Sequence, residues 1–315
     1  MSEKKIIAVI GATGAQGGGL VRAILGDPDG GFAARGITRN PDGDKAKALA
    51  DQGAEVVFGD LDDEKSLERA FSGAYGAFCV TNFWEHFSPE KELGQAKNMA
   101  AAAAAANLQH VIWSSLDDTR DFVPLDDDRM PTLMEKYKVP HFDAKGEANR
   151  LFTESVPTTV LNTAFYWENF IYFGSGPAKD QNGNYALTFP LGDAKMPSIA
   201  AEDIGKCAYG IFKRGNEFIG KEIGIAGGHV SGSEMASALT KALGVDIRYN
   251  NVDPDVFRGF GFPGAEDVGN MFQFKRDFED QYRASRSVDL ARRLNPDLMS
   301  FDQWVSENAH RIPLS

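Results

Sequence analysis

Cysteine is almost missing from this chain: Cys79 and Cys207 stand far apart, each in an apolar context (AFCVT and GKCAYG). Two such residues exclude a disulfide framework and read as buried thiols of a reducing compartment, with a redox role for either the less favoured reading. The five histidines are scattered, with no carboxylate or cysteine spacing around them, so a metal signature is lacking. Basic clusters are lacking too. With 33 Lys and Arg against 45 Asp and Glu, the net charge of −12 argues against direct nucleic-acid binding, because phosphate contact needs clustered cations. Any anionic ligand must be held by local donors against a repulsive field. The most apolar long stretch, 99–108, is too short and alanine-rich to span a membrane. There is no internal repeat, low-complexity tail or flexible linker. A strand pattern within a few residues of the N-terminus leaves no room for a signal peptide, so a cytoplasmic protein is expected.

What remains is an ordinary globular composition, 43% hydrophobic and 25% charged over 315 residues. That length buries a large core and fits one large domain with a smaller lobe, or two domains. IIAVIG (6–11) reads as a buried parallel strand, followed by a glycine-rich turn and a helix over 18–25. Strands are expected at 33–38, 54–60, 76–82 and 110–115, with helices at 45–52, 63–71 and 89–107 between them. Such alternation predicts an α/β fold, a Rossmann-type doubly wound parallel sheet with right-handed crossovers. Residues 117–131, acidic and proline-containing, read as an exposed loop; its aspartates, including the run 126–128, are either a solvated face or part of a mobile flap. A helix at 142–154 and a sixth strand at 157–166 follow. Beyond that, 170–197 reads as hairpins and loops, 201–214 and 233–243 as helices, and 247–252 as a strand. We expect a Rossmann domain over 1–165 and a smaller α+β lobe over 166–315 packed over its cleft, with some later segments returning to the first domain.

The turn after the first strand is Gly11-Ala12-Thr13-Gly14-Ala15-Gln16-Gly17. Gly11 permits the tight turn, Gly14 lets backbone approach a pyrophosphate, and Gly17 lets the helix pack closely on the sheet. The helix N-terminus offers N–H groups and a positive dipole end. Glycines alone are weak evidence in a chain with 33 of them, but this set follows a strand and opens a helix. At the end of the second strand, where a site for NAD(H) offers Asp or Glu, the chain has Arg39. Arginine cannot accept from ribose hydroxyls, whereas its planar fork suits a 2′-phosphate, which points to NADP(H). Asp60 is placed for the adenine side of the cofactor or as a helix cap, Asp62 being the better cap candidate. Thr81, Asn82 and Phe83 lie at the carboxyl edge of the sheet, where ligands collect.

Together these residues resemble the NmrA-like family of atypical short-chain dehydrogenase/reductase proteins, in particular its HSCARG-type NADPH sensors. The resemblance runs over nearly the whole chain, through GATGAQGG (11–18), TRNP (38–41), QGAEVVFGDLDD (52–63), VTNFWE (80–85), HFDAKGE (141–147), YWEN (166–169) and GFPGAEDVGNMFQF (261–274). It implies cofactor contacts from Gly11 to Gln16, Arg39, Asp60, Thr81 to Phe83, Lys145, and Tyr166, Trp167, Glu168 and Asn169. It also implies a redox sensor that binds NADP(H) and modulates protein partners. The wider superfamily's reductases use a Tyr-x-x-x-Lys pair and a serine ending the fifth strand. Here Ser114 and Ser115 fill the serine position and Lys145 the lysine position, but His141 stands where the tyrosine belongs. Spacing of four puts His141 and Lys145 on one helix face. His141 is either a general acid, with the nearby ammonium depressing its pKa, or, as favoured, a polar group lining the pocket. Pro140 separates Tyr137 from the lysine helix. Tyr209 fits Tyr-x-x-x-Lys with Lys213 by spacing alone and reads as a core aromatic.

Arg39, the missing tyrosine and the resemblance together imply a non-catalytic NADP(H)-responsive regulator, with an NADPH-dependent reductase of a quinone, enone or similar acceptor as the alternative. Phe83, Trp84, Phe165, Tyr166, Trp167 and Phe170 form either an apolar substrate wall or plain core. Pairing with a second copy of the chain stays open.

Overall fold

The regular alternation in the first half of the chain builds one sheet. In the computed structural model, which describes residues 3–180 and 182–314, the order is β1 (Lys5–Ile10), α1 (Ala15–Leu25), β2 (Phe32–Thr38), α2 (Asp44–Asp51), β3 (Glu55–Phe58), α3 (Glu64–Phe71), β4 (Gly76–Cys79), α4 (Pro89–Ala105), β5 (His110–Ser115), α5 (Pro140–Thr153) and β6 (Thr158–Asn162). Next come β7 (Phe165–Tyr166), α6 (Asn169–Tyr172), β8 (Ala178–Lys179), β9 (Tyr185–Phe189), β10 (Lys195–Ile199), α7 (Ala201–Lys213), β11 (Glu222–Gly224) and β12 (Gly228–Ser231). The chain ends with α8 (Gly232–Leu243), β13 (Ile247–Asn251), α9 (Pro254–Arg258), α10 (Ala265–Asp277), α11 (Glu279–Ala284), α12 (Val288–Leu294) and α13 (Phe301–Asn308). Seven strands form a parallel sheet in the order β11-β6-β5-β4-β1-β2-β3. The order reverses between β1 and β4, which is where a doubly wound sheet opens its ligand crevice.

Helices cover both faces, so every residue of the central strands β4, β5 and β6 is buried, the polar ones included. One core layer joins Leu20, Val21 and Ile24 of α1 to Ile204, Cys207 and Ile211 of α7; the opposite layer holds Met99, Ala103 and Phe152. The two helices meet through glycines: a Cβ on Gly205 would lie 2.2 Å from Leu20 N, and one on Gly19 would lie 2.5 Å from the Glu202 carbonyl oxygen. That contact explains why α1 begins at Ala15, three residues before the expected start. Helix propensity disfavours Gly17, Gly18 and Gly19, but close packing requires Gly17 and Gly19.

The second half carries an aromatic core, including Trp167, Phe170, Phe189, Phe272 and Trp304, which Val123, Met130, Val139 and Phe142 of the first half join. Two three-stranded sheets, β12-β10-β7 and β13-β9-β8, frame it. The stretch expected as one strand over 157–166 is two: β6 stays in the large sheet, whereas β7 leaves to pair with β10. Conversely, β11 pairs with β6, and α7 packs on α1, so both cross the division expected at residue 165. Residues 117–131 are not simply an exposed loop. Thr119, Val123 and Met130 are buried, and Asp117 is paired with the buried Arg286. Asp143 accepts from Thr119 N and Oγ1 at 2.8 and 2.6 Å and from the N–H groups of Lys138 and Val139 at 2.7 and 3.0 Å, tying the segment to α5. Both cysteines are buried, and burial pushes each thiol well above its usual range, so neither is poised to react. Among the described residues no helix is long and apolar enough to cross a membrane.

Candidate functional site

The glycine turn is built to receive an anion. Gly11 adopts φ +65° and its carbonyl accepts from Gly14 N at 2.8 Å, which closes the turn. A Cβ on Gly17 would fall 2.5 Å from that same carbonyl oxygen. Gly14 caps α1 with no side-chain acceptor, and the first turn has no acidic residue. The N–H groups left without intrahelical partners therefore face no internal competitor for a phosphate. Gly11, Gly14 and Ala15 are exposed, Thr13 and Gln16 half-buried, and Ala12 buried.

Arg39 follows β2 and is exposed. Its Nη2 lies 3.1 Å from Oε1 of Glu85, an oxygen that also accepts from Asn82 Nδ2 at 3.3 Å. Asp60 follows β3, with Oδ1 accepting from Asp62 N at 3.0 Å. The cap of α3 is neither Asp60 nor Asp62 but Asp63, which accepts from Lys65 N and Ser66 N. The exposed Asp62 instead engages Gln95 and Lys91.

Beyond β4 the chain supplies Thr81, and α5 brings Lys145 to it. Lys145 Nζ donates to Thr81 Oγ1 at 2.5 Å and to the Thr81 carbonyl at 3.2 Å, and pairs with Glu92 Oε1 at 2.8 Å. Thr81 Oγ1 also bonds Glu92. Glu92 is wholly buried in α4. Burial alone would favour its neutral form, but Lys145, His86 and Thr81 outweigh it and hold the carboxyl at about 2. His86 Nε2 sits 3.4 Å from Glu92 Oε2, near enough for charge attraction but misaligned for a hydrogen bond.

His141 begins α5 just after Pro140 and one turn before Lys145. Its Nδ1 lies 2.7 Å from Asp267 Oδ1, and its backbone N–H donates to Asp267 Oδ2 at 3.2 Å. An ionised Asp267 places the imidazole proton on Nδ1, and no described protein group bonds Nε2. The ring packs on Trp84, centroids 4.8 Å apart, and on Phe83 at 6.0 Å. The charged neighbour that governs His141 is thus Asp267, while Lys145 is committed to Glu92.

A second chain of hydrogen bonds crosses the crevice. Ser114 Oγ donates to Gln16 Oε1 at 2.7 Å, and Gln16 Nε2 donates to Tyr166 OH at 2.5 Å. Burial pushes the Tyr166 phenol up to about 12. Ser115 faces α5 instead, donating to Asn149 Oδ1 at 2.6 Å. The rest of the 166–169 segment is turned to structural work. Trp167 is fully buried against Phe301 and Trp304, and Glu168 accepts from Ala201 N at 2.9 Å and from Trp304 Nε1 at 3.1 Å. Asn169 opens α6, its carbonyl accepting from Phe173 N at 3.2 Å. Of the six aromatics considered for a substrate wall, Phe83 and Trp84 flank His141 and Tyr166 meets Gln16; Phe165, Trp167 and Phe170 belong to the aromatic core. Tyr209 packs in the α1–α7 layer with its hydroxyl on Asp27 at 2.9 Å, remote from the glycine turn. Tyr137 is buried beside Arg120 and Lys136. A polar groove of about 620 Å³ lies elsewhere, on the flank of α5 facing β6 and β11, and touches none of the glycine-turn residues.

Glu85, Glu92 and Asp267 are the functional neighbours that sequence reasoning missed. One carried a signal: Glu92 shares the apolar face of α4 with Ala96, Met99 and Ala103, and a carboxylate on a buried face requires a buried partner.

A parallel sheet with an uncapped glycine turn at its switch point defines a Rossmann-type dinucleotide-binding protein. More particularly, the chain belongs to the NmrA-like family, which matches residues 3–305. It is 32% identical over 304 residues to the NmrA-like family domain-containing oxidoreductase FrzB of Cladobotryum sp, covering 89% of this chain and 86% of that one. Its fold is that of NmrA, a negative transcriptional regulator solved in complex with NADP (TM-score 0.77, 22% identity, 97% of this chain and 95% of that one). The triphenylmethane reductase of Citrobacter sp., solved with NADP(H), shares the fold as well (TM-score 0.71, 20% identity, 96% of this chain and 99% of that one).

Proposed function

We propose that this chain is an NADP(H)-dependent oxidoreductase that reduces a small apolar acceptor, with His141 as the proton donor. The observation that carries the reading is the Asp267–His141 pair at 2.7 Å, with Nε2 left free beside Trp84 and one helical turn from Lys145. The naming of the relative FrzB as an oxidoreductase supports it. In this reading the backbone from Gly11 to Gln16 holds the pyrophosphate, Arg39 the 2′-phosphate, and Asp60 the adenosine end. Thr81, Asn82, Phe83 and Lys145 flank the nicotinamide ribose, and Tyr166 closes the crevice from the second lobe. The bound nicotinamide supplies the hydride. In this reading a proton taken up from solvent at His141 Nε2 passes to the acceptor oxygen, while Asp267 accepts from Nδ1–H and fixes the ring, and solvent restores the proton. Lys145 is neutralised by Glu92 and orients the ribose rather than activating a phenol. Trp84 and Phe83 offer the acceptor an apolar face and limit water.

A regulatory reading has its own support. Tyr166, the one tyrosine bonded into the crevice, is pushed up to about 12, which makes it a poor proton shuttle at neutral pH. The fold is also shared with an NADP-bound negative transcriptional regulator. Mixing the protein with NADPH and a panel of quinones, enones and aldehydes separates the two. Steady NADPH oxidation with any acceptor supports the reductase; tight binding with no turnover across the panel supports the regulator.

A further inference from the structure

We propose that Glu85 is an internal stand-in for the cofactor's 2′-phosphate. It holds Arg39 while no phosphate is present and releases it when NADP(H) binds, passing that event to the turn that carries Phe83 and Trp84. This rests on the dinucleotide site proposed above.

The pair is built to exchange. Arg39 and Glu85 side chains are 64% and 47% exposed, so their mutual attraction is weakened by water and a solute anion can reach the guanidinium without unfolding anything. A phosphate monoester carries close to two negative charges and three acceptor oxygens, against one charge on a carboxylate. With the phosphate on Arg39, the two anions repel and Glu85 turns away. NAD(H) has a hydroxyl at that position and leaves the Arg39–Glu85 pair intact. The same carboxylate is thereby a specificity-determining group: it taxes NADP(H) and not NAD(H).

What Glu85 carries makes the exchange more than a local swap. It is the last residue of a single 3-10 turn, Phe83–Glu85, whose Phe83 and Trp84 rings are 5.5 Å apart and both pack on His141. Residues on either side reach the other buried charges: Thr81 bonds Lys145, and His86 approaches Glu92. Phe87, just beyond, adopts φ +53°, in the left-handed region that L-residues rarely occupy, so the turn is held by its contacts. Trp84 and Phe87 also abut Gly264 at the head of α10, where a Cβ would lie 3.0 Å from Trp84 and 3.3 Å from Phe87. One ion pair at the cofactor's adenosine end is therefore linked through Phe83 and Trp84 to His141, and through Trp84 and Phe87 to the head of α10.

The test is to titrate NADPH and NADH separately into the wild type, Glu85→Gln, Arg39→Ala and the double variant, reading both affinity and tryptophan emission, with Trp84→Phe identifying the Trp84 signal. Glu85→Gln is expected to tighten NADPH by about two- to fivefold, as loss of an exposed pair allows, with NADH changed by less than about twofold. Arg39→Ala is expected to weaken NADPH by about ten- to a hundredfold, and Glu85→Gln to have no effect in that background. The emission change on NADPH binding is expected to exceed that with NADH, and unliganded Glu85→Gln to have moved part of the way already. Weaker NADPH binding by Glu85→Gln, or equal shifts for both dinucleotides, overturns the proposal while leaving the site intact. Failure of the wild type to bind either dinucleotide overturns the site itself, and the proposal with it.

Discussion

Two buried lysines on two helices meet opposite fates. Lys145 on α5 has Glu92 at 2.8 Å and Thr81 at 2.5 Å, with the Trp113 ring 5.1 Å beneath it. Lys275 on α10 has no oxygen acceptor among the described residues: its nearest partners are Met271 Sδ at 3.3 Å and Met196 Sδ at 3.9 Å. The rings of Phe142, Phe165, Tyr282 and Phe272 surround it at 5.5 to 5.9 Å. Burial, aided by the positive charge of Arg286, pushes its amine down to about 7. The lesson is that burial does not decide whether a charge survives; the partner does. At the crevice, Lys145 has a carboxylate partner, Glu92, beside the proposed ribose site. In the aromatic lobe, thioethers and π-faces give only weak compensation, and the ammonium is half given up near neutrality.

Removing one member of the crevice pair is expected to have the largest effect. Lys145→Met leaves Glu92 charged and buried, and is expected to cost about 3–5 kcal/mol in denaturant unfolding, with Lys145→Met/Glu92→Gln recovering most of it. The pH dependence follows from the sign. The folded-state pKa of Glu92 is depressed from 4.5 to about 2, so its contribution is present above about pH 4.5 and lost as pH falls through about 2. The double variant should lack that acid-induced loss.

Lys275→Met is expected to do the reverse and raise the melting temperature. Because the folded amine is depressed from 10.5 to about 7, the unfolded chain binds the extra proton between those values. The cost of Lys275 is therefore full below about pH 7 and fades as pH rises toward 10.5. The gain on substitution should fade along the same range. A melting temperature lowered equally at both ends would show that the cage needs the amine. The smallest effect is expected from Tyr209→Phe. It removes one hydrogen bond to Asp27 in the α1–α7 layer, costs about 0.5–1.5 kcal/mol, and leaves turnover unchanged.

Local features were legible before the fold was known. The strand–glycine–helix run from Lys5 to Leu25 and the arginine ending β2 are written in contiguous residues, and so is the alternation that orders the sheet. What could not be read is what the tertiary fold joins. Asp267 reaches His141 from 126 residues away and Tyr166 reaches Gln16 from 150, and no period or spacing encodes either pairing. The ten apolar and small residues over 157–166 looked like one strand because nothing in them marks the point where β7 leaves for another sheet. His141 itself was noticed, but beside Lys145 it read as pocket lining; Asp267, the contact on which its proposed role rests, lies too far along the chain to be read beside it.

The central claim is that His141, held by Asp267, delivers the proton in an NADPH-dependent reduction. The direct measurement is NADPH affinity and turnover of His141→Gln beside the wild type, with one acceptor the wild type reduces. His141→Gln is expected to bind NADPH within about twofold of wild type and to turn over about 10²–10⁴-fold more slowly, the usual worth of a positioned general acid. Undiminished turnover in His141→Gln, with NADPH bound as tightly as before, would contradict it.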